Sequence, residues 1–496
     1  MANQLAAINH VVVLALENRS FDQMLGFLYT AQGNVSPAGQ VYEGLTGAES
    51  NPDPDGNPVT VFKILPTTPN AYFMPGCDPG EGFAQVNQQL FGSLDAPTPP
   101  AATNQGFLVN FATNLPQRAA NPDFGALPGT VANDIMGMFA PETLPVLSGL
   151  ARGFAVCDQW FASVPTETMP NRAFMCAATS QGKLGDFHVT PFSAPSIFGA
   201  LTQANVSWMA YGYDALPYTQ SDFNDTLSAP ASNFGLFADF TAAAAAGTLP
   251  AYSFLEPSWG TTGNSQHPNY DVALGEQLIH DVYYALFNGA NWNQTLLIIT
   301  YDEHGGNFDH VPPPTGAVAP DSSVGDQGFD FTRFGVRVPA VLVSPLVAAG
   351  TVFRAPDGAT PLDHTSILKT IEARWGLSPL TARDAAAPDV GDVLTLTVPR
   401  TDDPLSGVIV PTSNAAPPNA ERPSHLQIVR AQTVAALPVV DAGGVPDHQM
   451  PALATGADHE RYIAERMTAW RASKAMRAAT VLARGAAQPF TPPAPG

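Results

Sequence analysis

Residues 11–21 read VVVLALENRSF. Six apolar residues run without a break before Glu17 and Asn18. An uninterrupted apolar run of this length fits a strand buried on both faces, as in parallel sheets. Ligands of open α/β sheets collect just beyond the carboxyl ends of such strands. A carboxylate and an amide oxygen delivered there form a ligand pair for a hard cation. Capping a turn is the simpler role for a lone Glu-Asn.

A second strand end repeats the arrangement. Residues 295–301, TLLIITY, are the strongest strand in the chain and run directly into Asp302-Glu303-His304-Gly305-Gly306. Buried carboxylates need a partner, and two strand ends carrying oxygen ligands point to a metal. A third buried strand, 153–158, precedes FASVPTETMPNR at 161–172 and a helical segment expected over 173–180. Its threonines fit a helix cap or the helix N-terminal setting in which phosphate binds.

Further strands are expected at 206–211, 252–255 and 336–344. Helices are expected at 85–94, 142–152, 196–203, 271–287 and after Asp363-His364-Thr365, the last ending at Gly376. Residues 214–240 read as an irregular excursion. The pattern predicts an α/β fold, a three-layer sandwich around a mainly parallel sheet. A catalytic domain with long loop insertions is expected over 1–400. Residues 401–496 read as a Pro/Ala-rich extension ending in a helix at 458–484 and docked on that domain.

The chain has 496 residues and a formal net charge of −22. That charge excludes a nucleic-acid backbone as partner, since such binding needs clustered Lys and Arg. It also disfavours anionic membrane surfaces, and an anionic substrate would require a bound cation to reverse the local field. Three cysteines, Cys77, Cys157 and Cys176, do not make a disulfide framework. No stretch reaches transmembrane length, and no basic leader of Sec type opens the chain. The expectation is a cytoplasmic protein, one exported by a route without a visible Sec signal, or a mature form.

Several motifs together resemble the bacterial phosphoesterase family of phospholipases C and acid phosphatases. They are LENRSFD at 16–22, MPNR at 169–172, HP at 267–268, YDEHGGNFDHVPPP at 301–314, VPAVLVSP at 338–345 and DHTSIL at 363–368. The resemblance implies an alkaline-phosphatase-like fold and one divalent ion, with oxygen ligands suited to Ca²⁺, Mg²⁺ or Mn²⁺. The implied ligands are Glu17, Asn18, Thr168, Asp302 and Glu303. Thr168 matches the family nucleophile and would form a phosphothreonine intermediate. Thr166 competes with it because residues 165–167 depart from the usual Pro-Gly-Pro. His267 matches a histidine that contacts the phosphoryl group, and Asn171 and Arg172 are substrate-binding candidates. Where the family often reads DPGH, this chain reads Asp78-Pro79-Gly80-Glu81, so Glu81 is either a substrate-binding residue, suited to a cationic head group, or a plain loop residue.

The expected substrate is a phosphate ester, a phospholipid head group among the options. Two rival readings stand beside it. A sulfatase is disfavoured because Thr168 cannot be oxidised to the formylglycine aldehyde. A non-catalytic phosphate- or choline-binding module is disfavoured because the ligand set is unbroken.

Overall fold

The computed structural model describes residues 3–121, 125–187, 191–413, 420–440, 446–447 and 450–486. Eight strands form the central sheet: β1 (His10–Leu16), β2 (Ala155–Cys157), β3 (Trp208–Gly212), β4 (Phe234–Leu236), β5 (Tyr252–Glu256), β6 (Thr295–Tyr301), β7 (Ala340–Val343) and β8 (Thr351–Val352). Their order across the sheet is β8-β2-β7-β6-β1-β5-β3-β4. Only β7 runs against its neighbours; every other pairing is parallel.

Successive strand residues face opposite sides of a sheet. All seven residues of β6 are fully buried, so both faces are covered and the architecture is three-layered. The β-branched content of β1 and β6 suits this doubly covered position. The covering helices include α1 (Phe21–Leu25), α2 (Phe83–Phe91), α3 (Phe107–Ala120), α4 (Pro145–Gly153), α5 (Thr168–Ala177), α6 (Val272–Phe287) and α7 (Thr365–Trp375). Helix α4 packs on α6, and α5 on α7. Leu147 and Leu150 of α4, Ile279 and Val282 of α6, and Ile367 and Ile371 of α7 join the strands in one hydrophobic core.

Two expectations are corrected here. Residues 214–240 are not wholly irregular: short helices at Thr219–Asp222 and Asn224–Ser228 lead into β4, the sheet's edge strand. A three-residue edge strand carries too little periodicity to be seen in sequence. The strand expected over 336–344 is regular only across β7, because Pro339 has no N–H to donate to a ladder.

The chain divides into two compact units, one of residues 1–186 and 192–420, the other of 187–191 and 421–496. The first reaches past residue 400. Asp403 accepts hydrogen bonds from the Tyr283 and Tyr284 hydroxyls at 3.0 and 2.8 Å, and Leu405 is buried in the main core. The second unit pairs helix α8 (His425–Ala435) with the long α9 (Gly456–Ala486). Ser424 and Gln427 cap the start of α8 reciprocally. The Arg466 guanidinium donates to the carbonyls of Val434, Ala435 and Leu437 and so satisfies the helix's other end.

Candidate active site

The register of β1 on β6 pairs Leu16 with Tyr301. Glu17-Asn18 and Asp302-Glu303 therefore leave the sheet side by side. The chain turns sharply at Asn18, whose φ is +56°, a conformation that Asn tolerates better than other non-glycine residues. This turn lets the Asn18 N–H donate to Asp302 Oδ1 at 2.9 Å. Asp302 Oδ1 also accepts the Glu303 N–H at 2.8 Å. After β6 the backbone passes so close to β1 that a Cβ on Gly305, at φ +61°, would lie 2.1 Å from the Asn18 carbonyl oxygen.

Helix α5 begins at Thr168, five residues earlier than the sequence suggests. Pro170 masks the start in sequence, yet proline is tolerated in a helix's first turn, where its missing N–H has no partner to lose. Thr168 is thus not a cap but the first helical residue, and its hydroxyl donates to Asn18 Oδ1 at 3.1 Å. Thr166 is directed elsewhere: its hydroxyl donates to the Leu184 carbonyl at 2.5 Å.

Asn171, a substrate-binding candidate, is turned toward its own loop. As a substrate-binding residue its amide would face the phosphoryl group. Instead Oδ1 accepts the Val164 N–H, and Nδ2 donates to the carbonyls of Val164, Thr166 and Glu167 at 2.9–3.1 Å. The amide is consumed in shaping the loop ahead of Thr168. Two residues missed in the sequence complete that loop. Glu167 accepts the Asp186 N–H at 2.7 Å, and Asp186 Oδ1 accepts the Met169 N–H at 2.7 Å. Both chain neighbours of Thr168 are therefore tied to one residue 18 positions away, and no local motif announces such a clasp.

The site is dominated by negative charge. Burial, reinforced by Asp302, pushes the Glu17 carboxyl up to about 8. Burial and the nearby Glu81 raise Glu303 well above the carboxylate range. Burial together with Asp78, Asp186 and Glu167 does the same to Glu81. Against these stands Arg172, whose Nε donates to Asp302 Oδ2 at 2.8 Å and whose Nη2 holds the carbonyls of Ala15 and Leu16. Its guanidinium also lies 4.4 Å from the Trp259 ring centroid.

A divalent ion fits this donor set. Glu303 Oε1 is buried without a hydrogen-bond partner, and like charges crowded in a dry site call for a cation. Among the described residues, two groups of three ligand types have their ligand atoms within 4.8 Å of one another: Asp22, Asp309 and His310, and Asp78, Glu81 and His267. In the first, Arg337 already pairs with both carboxylates, Asp22 at 2.8 Å and Asp309 at 2.9 Å. Glu17, Asp302 and Glu303 meet at the strand ends but form no such triple. Asp302 is turned to Arg172, and Glu303 Oε2 accepts the Gly305 N–H at 2.7 Å.

Glu81 is brought into the site, since the Asn18 side-chain amide donates to its Oε2 at 2.8 Å. Arg118 holds the neighbouring Asp78 at 2.5 Å. His267 Nδ1 lies 3.0 Å from the Pro268 carbonyl; a carbonyl only accepts, so that nitrogen carries its proton. Burial depresses His304 to about 3 and His364 to about 4, so both are neutral. His364 Nε2 lies 2.6 Å from the Asp302 carbonyl and steadies the strand end.

Comparison with known proteins shows the family. The model of the Phosphoesterase family matches residues 8–378. Non-specific phospholipase C6 of Arabidopsis thaliana is 37% identical over 420 residues, covering 80% of this chain and 74% of that protein. Phospholipase C A of Mycobacterium tuberculosis is 31% identical over 416 residues, covering 75% and 74%. Among solved structures, a phosphonate monoester hydrolase of Agrobacterium radiobacter aligns over 51% of this chain and 72% of that one, with 14% identity and a TM-score of 0.30, a likeness too slight to argue from. With the family model spanning most of the first unit and both strand ends in place, the chain belongs to the Phosphoesterase family and is a phosphoric ester hydrolase.

Proposed function

We propose that this enzyme hydrolyses phosphodiesters in the manner of a phospholipase C, through a covalent phosphothreonine on Thr168. The observation that carries the reading is the Thr168 hydroxyl, at the first residue of α5 and 3.1 Å from Asn18 Oδ1, amid buried carboxylates. The competing Thr166 hydroxyl is occupied by Leu184.

Thr168 gives its hydroxyl proton to a carboxylate at the strand ends as its Oγ1 attacks phosphorus in line, and the bond to the leaving alcohol breaks as that alcohol takes a proton from protonated His267. Water then gives a proton back to His267 and attacks the phosphothreonine, releasing the phosphate monoester, and the strand-end carboxyl returns its proton to the Thr168 oxygen. With Nδ1 engaged by Pro268, Nε2 is the nitrogen that handles the proton. Arg172 Nη1, buried with no hydrogen-bond partner among the described residues, is the donor left for a phosphoryl oxygen. A divalent ion held by Glu17, Asn18, Thr168, Asp302 and Glu303 would neutralise phosphoryl charge and acidify the threonine hydroxyl.

The test uses p-nitrophenylphosphorylcholine and p-nitrophenyl phosphate with wild type, Thr168→Ala and Thr166→Ala, with and without chelator. The expected result is diester turnover that falls at least about a thousandfold in Thr168→Ala, with Thr166→Ala within about tenfold of wild type. Acid-quenched wild-type protein should carry one phosphoryl group on the peptide containing Thr168. Turnover surviving in Thr168→Ala would overturn the nucleophile, and turnover of the monoester alone would favour an acid phosphatase.

A further inference from the structure

Beside the nucleophile lies a cavity of about 710 Å³ that the chemistry above leaves unused. Its walls include Gly82, the residue after Glu81, and Glu167, the residue before Thr168. A Cβ on Gly82 would stand 3.0 Å from Glu167 Oε1, so the two loops that border the reacting centre also form this wall. The volume lies within the range of small-molecule sites.

Its polar groups are arranged in a particular way. Gln85 Oε1 accepts the Gly82 N–H at 2.9 Å, and Gln88 Oε1 accepts from Asn110 Nδ2 at 2.7 Å. Both glutamines line the cavity. With their oxygens held by the protein, each leaves its amide nitrogen, a pure donor, for an incoming group. Asn114 is anchored the other way round: its Nδ2 donates to the Asn110 carbonyl at 2.9 Å, leaving its side-chain oxygen as an acceptor. Phe83 supplies an apolar wall.

These features exclude two classes of occupant. A quaternary ammonium has no acceptor to offer the two glutamine amides and no hydrogen to give Asn114, so it would leave those groups unsatisfied. An anionic group would suit the donors but meets the acidic wall of Glu167 and the neighbouring Glu81. What remains is an uncharged group with several hydroxyls, each able to accept from a glutamine and donate to Asn114 or a carboxylate.

Building on the phosphodiesterase reading, we infer that this cavity is the subsite for the head group and takes a neutral polyol, of glycerol or inositol type, carried on the phosphoryl group. The experiment compares p-nitrophenylphosphorylglycerol with p-nitrophenylphosphorylcholine, which share a leaving group and differ only in the head. The expected result is kcat/KM at least about tenfold higher for the glycerol ester. Gln88→Leu should shrink that ratio about tenfold, mainly through KM, as the loss of one hydrogen bond to substrate requires. Asn114→Leu serves the same purpose should Gln88→Leu fail to fold, and thermal melting separates the two cases. Preferred turnover of the choline ester, or a ratio unmoved by either folded variant, would overturn the subsite alone. Absence of Thr168-dependent turnover on both esters would overturn the phosphodiesterase reading and the subsite with it.

Discussion

Two threonines two positions apart have opposite surroundings. Thr166 spends its hydroxyl on the Leu184 carbonyl, whereas Thr168 spends its own on the side chain of a strand-end residue. Sequence spacing alone leaves the choice open, because both lie ahead of the same helix. Asn171 differs from both. Its amide makes four contacts with the loop at 164–167, so Asn171→Ala should lower kcat while leaving KM nearly unchanged, and should cost about 1–3 kcal/mol of stability from unsatisfied buried backbone groups. Urea denaturation beside steady-state kinetics checks this. A large rise in KM with normal stability would return Asn171 to the substrate. The Glu167–Asp186 clasp makes a companion prediction: Asp186→Asn keeps an acceptor for the Met169 N–H and should retain more turnover than Asp186→Ala.

At the level of elements, the start of α4 is held from outside. Glu276 on α6 accepts the N–H groups of Val146 at 2.6 Å and Leu147 at 3.0 Å, two donors that a helix leaves without internal partners. Burial pushes this carboxyl up to about 8 from an ordinary value near 4.5. The folded protein therefore binds the Glu276 proton more tightly than the unfolded chain does. The corresponding stability is fully present below about pH 4.5 and is lost as pH rises through about 8. Glu276→Gln keeps an acceptor but cannot titrate, so its melting temperature should decline less than that of wild type between those limits. Parallel pH slopes in thermal scans would sink the assignment. The close crossing of β1 and β6 loops is equally demanding. Gly305→Ala would press a methyl group against the Asn18 carbonyl, in a backbone conformation that L side chains rarely adopt. It should remove activity even where the fold survives, as circular dichroism and turnover measured together would show.

Over the whole molecule, the net charge of −22 and the carboxylates at the strand ends work in the same direction. Both make the metal-free protein self-repelling near its site. A ligand that binds only the folded state stabilises it by mass action, and carboxylate ligands must shed protons to bind metal. Chelation should therefore lower the melting temperature, re-addition of a divalent ion should restore it, and the difference should widen as pH rises. Calorimetry with and without chelator at two pH values measures this. No chelator effect at either pH would contradict the metal. No helix among the described residues is long and apolar enough to cross a membrane.

What the sequence by itself determined is the part governed by local pattern and strong apolar contrast. Unbroken apolar runs at 11–16 and 295–301 can only be satisfied by a sheet covered on both faces, and the oxygen-rich residues following them must then emerge at one edge. The tertiary structure decided what depends on contacts between distant residues. It gave the Thr166 and Thr168 hydroxyls different partners, turned Asn171 inward to its own loop, brought Asp186 to both chain neighbours of Thr168 and placed Glu81 against Asn18. It also extended the first unit past residue 400. The physical reason is that hydrophobic periodicity is written along the chain, whereas a hydrogen bond is directional and depends on where another segment has been carried by the fold.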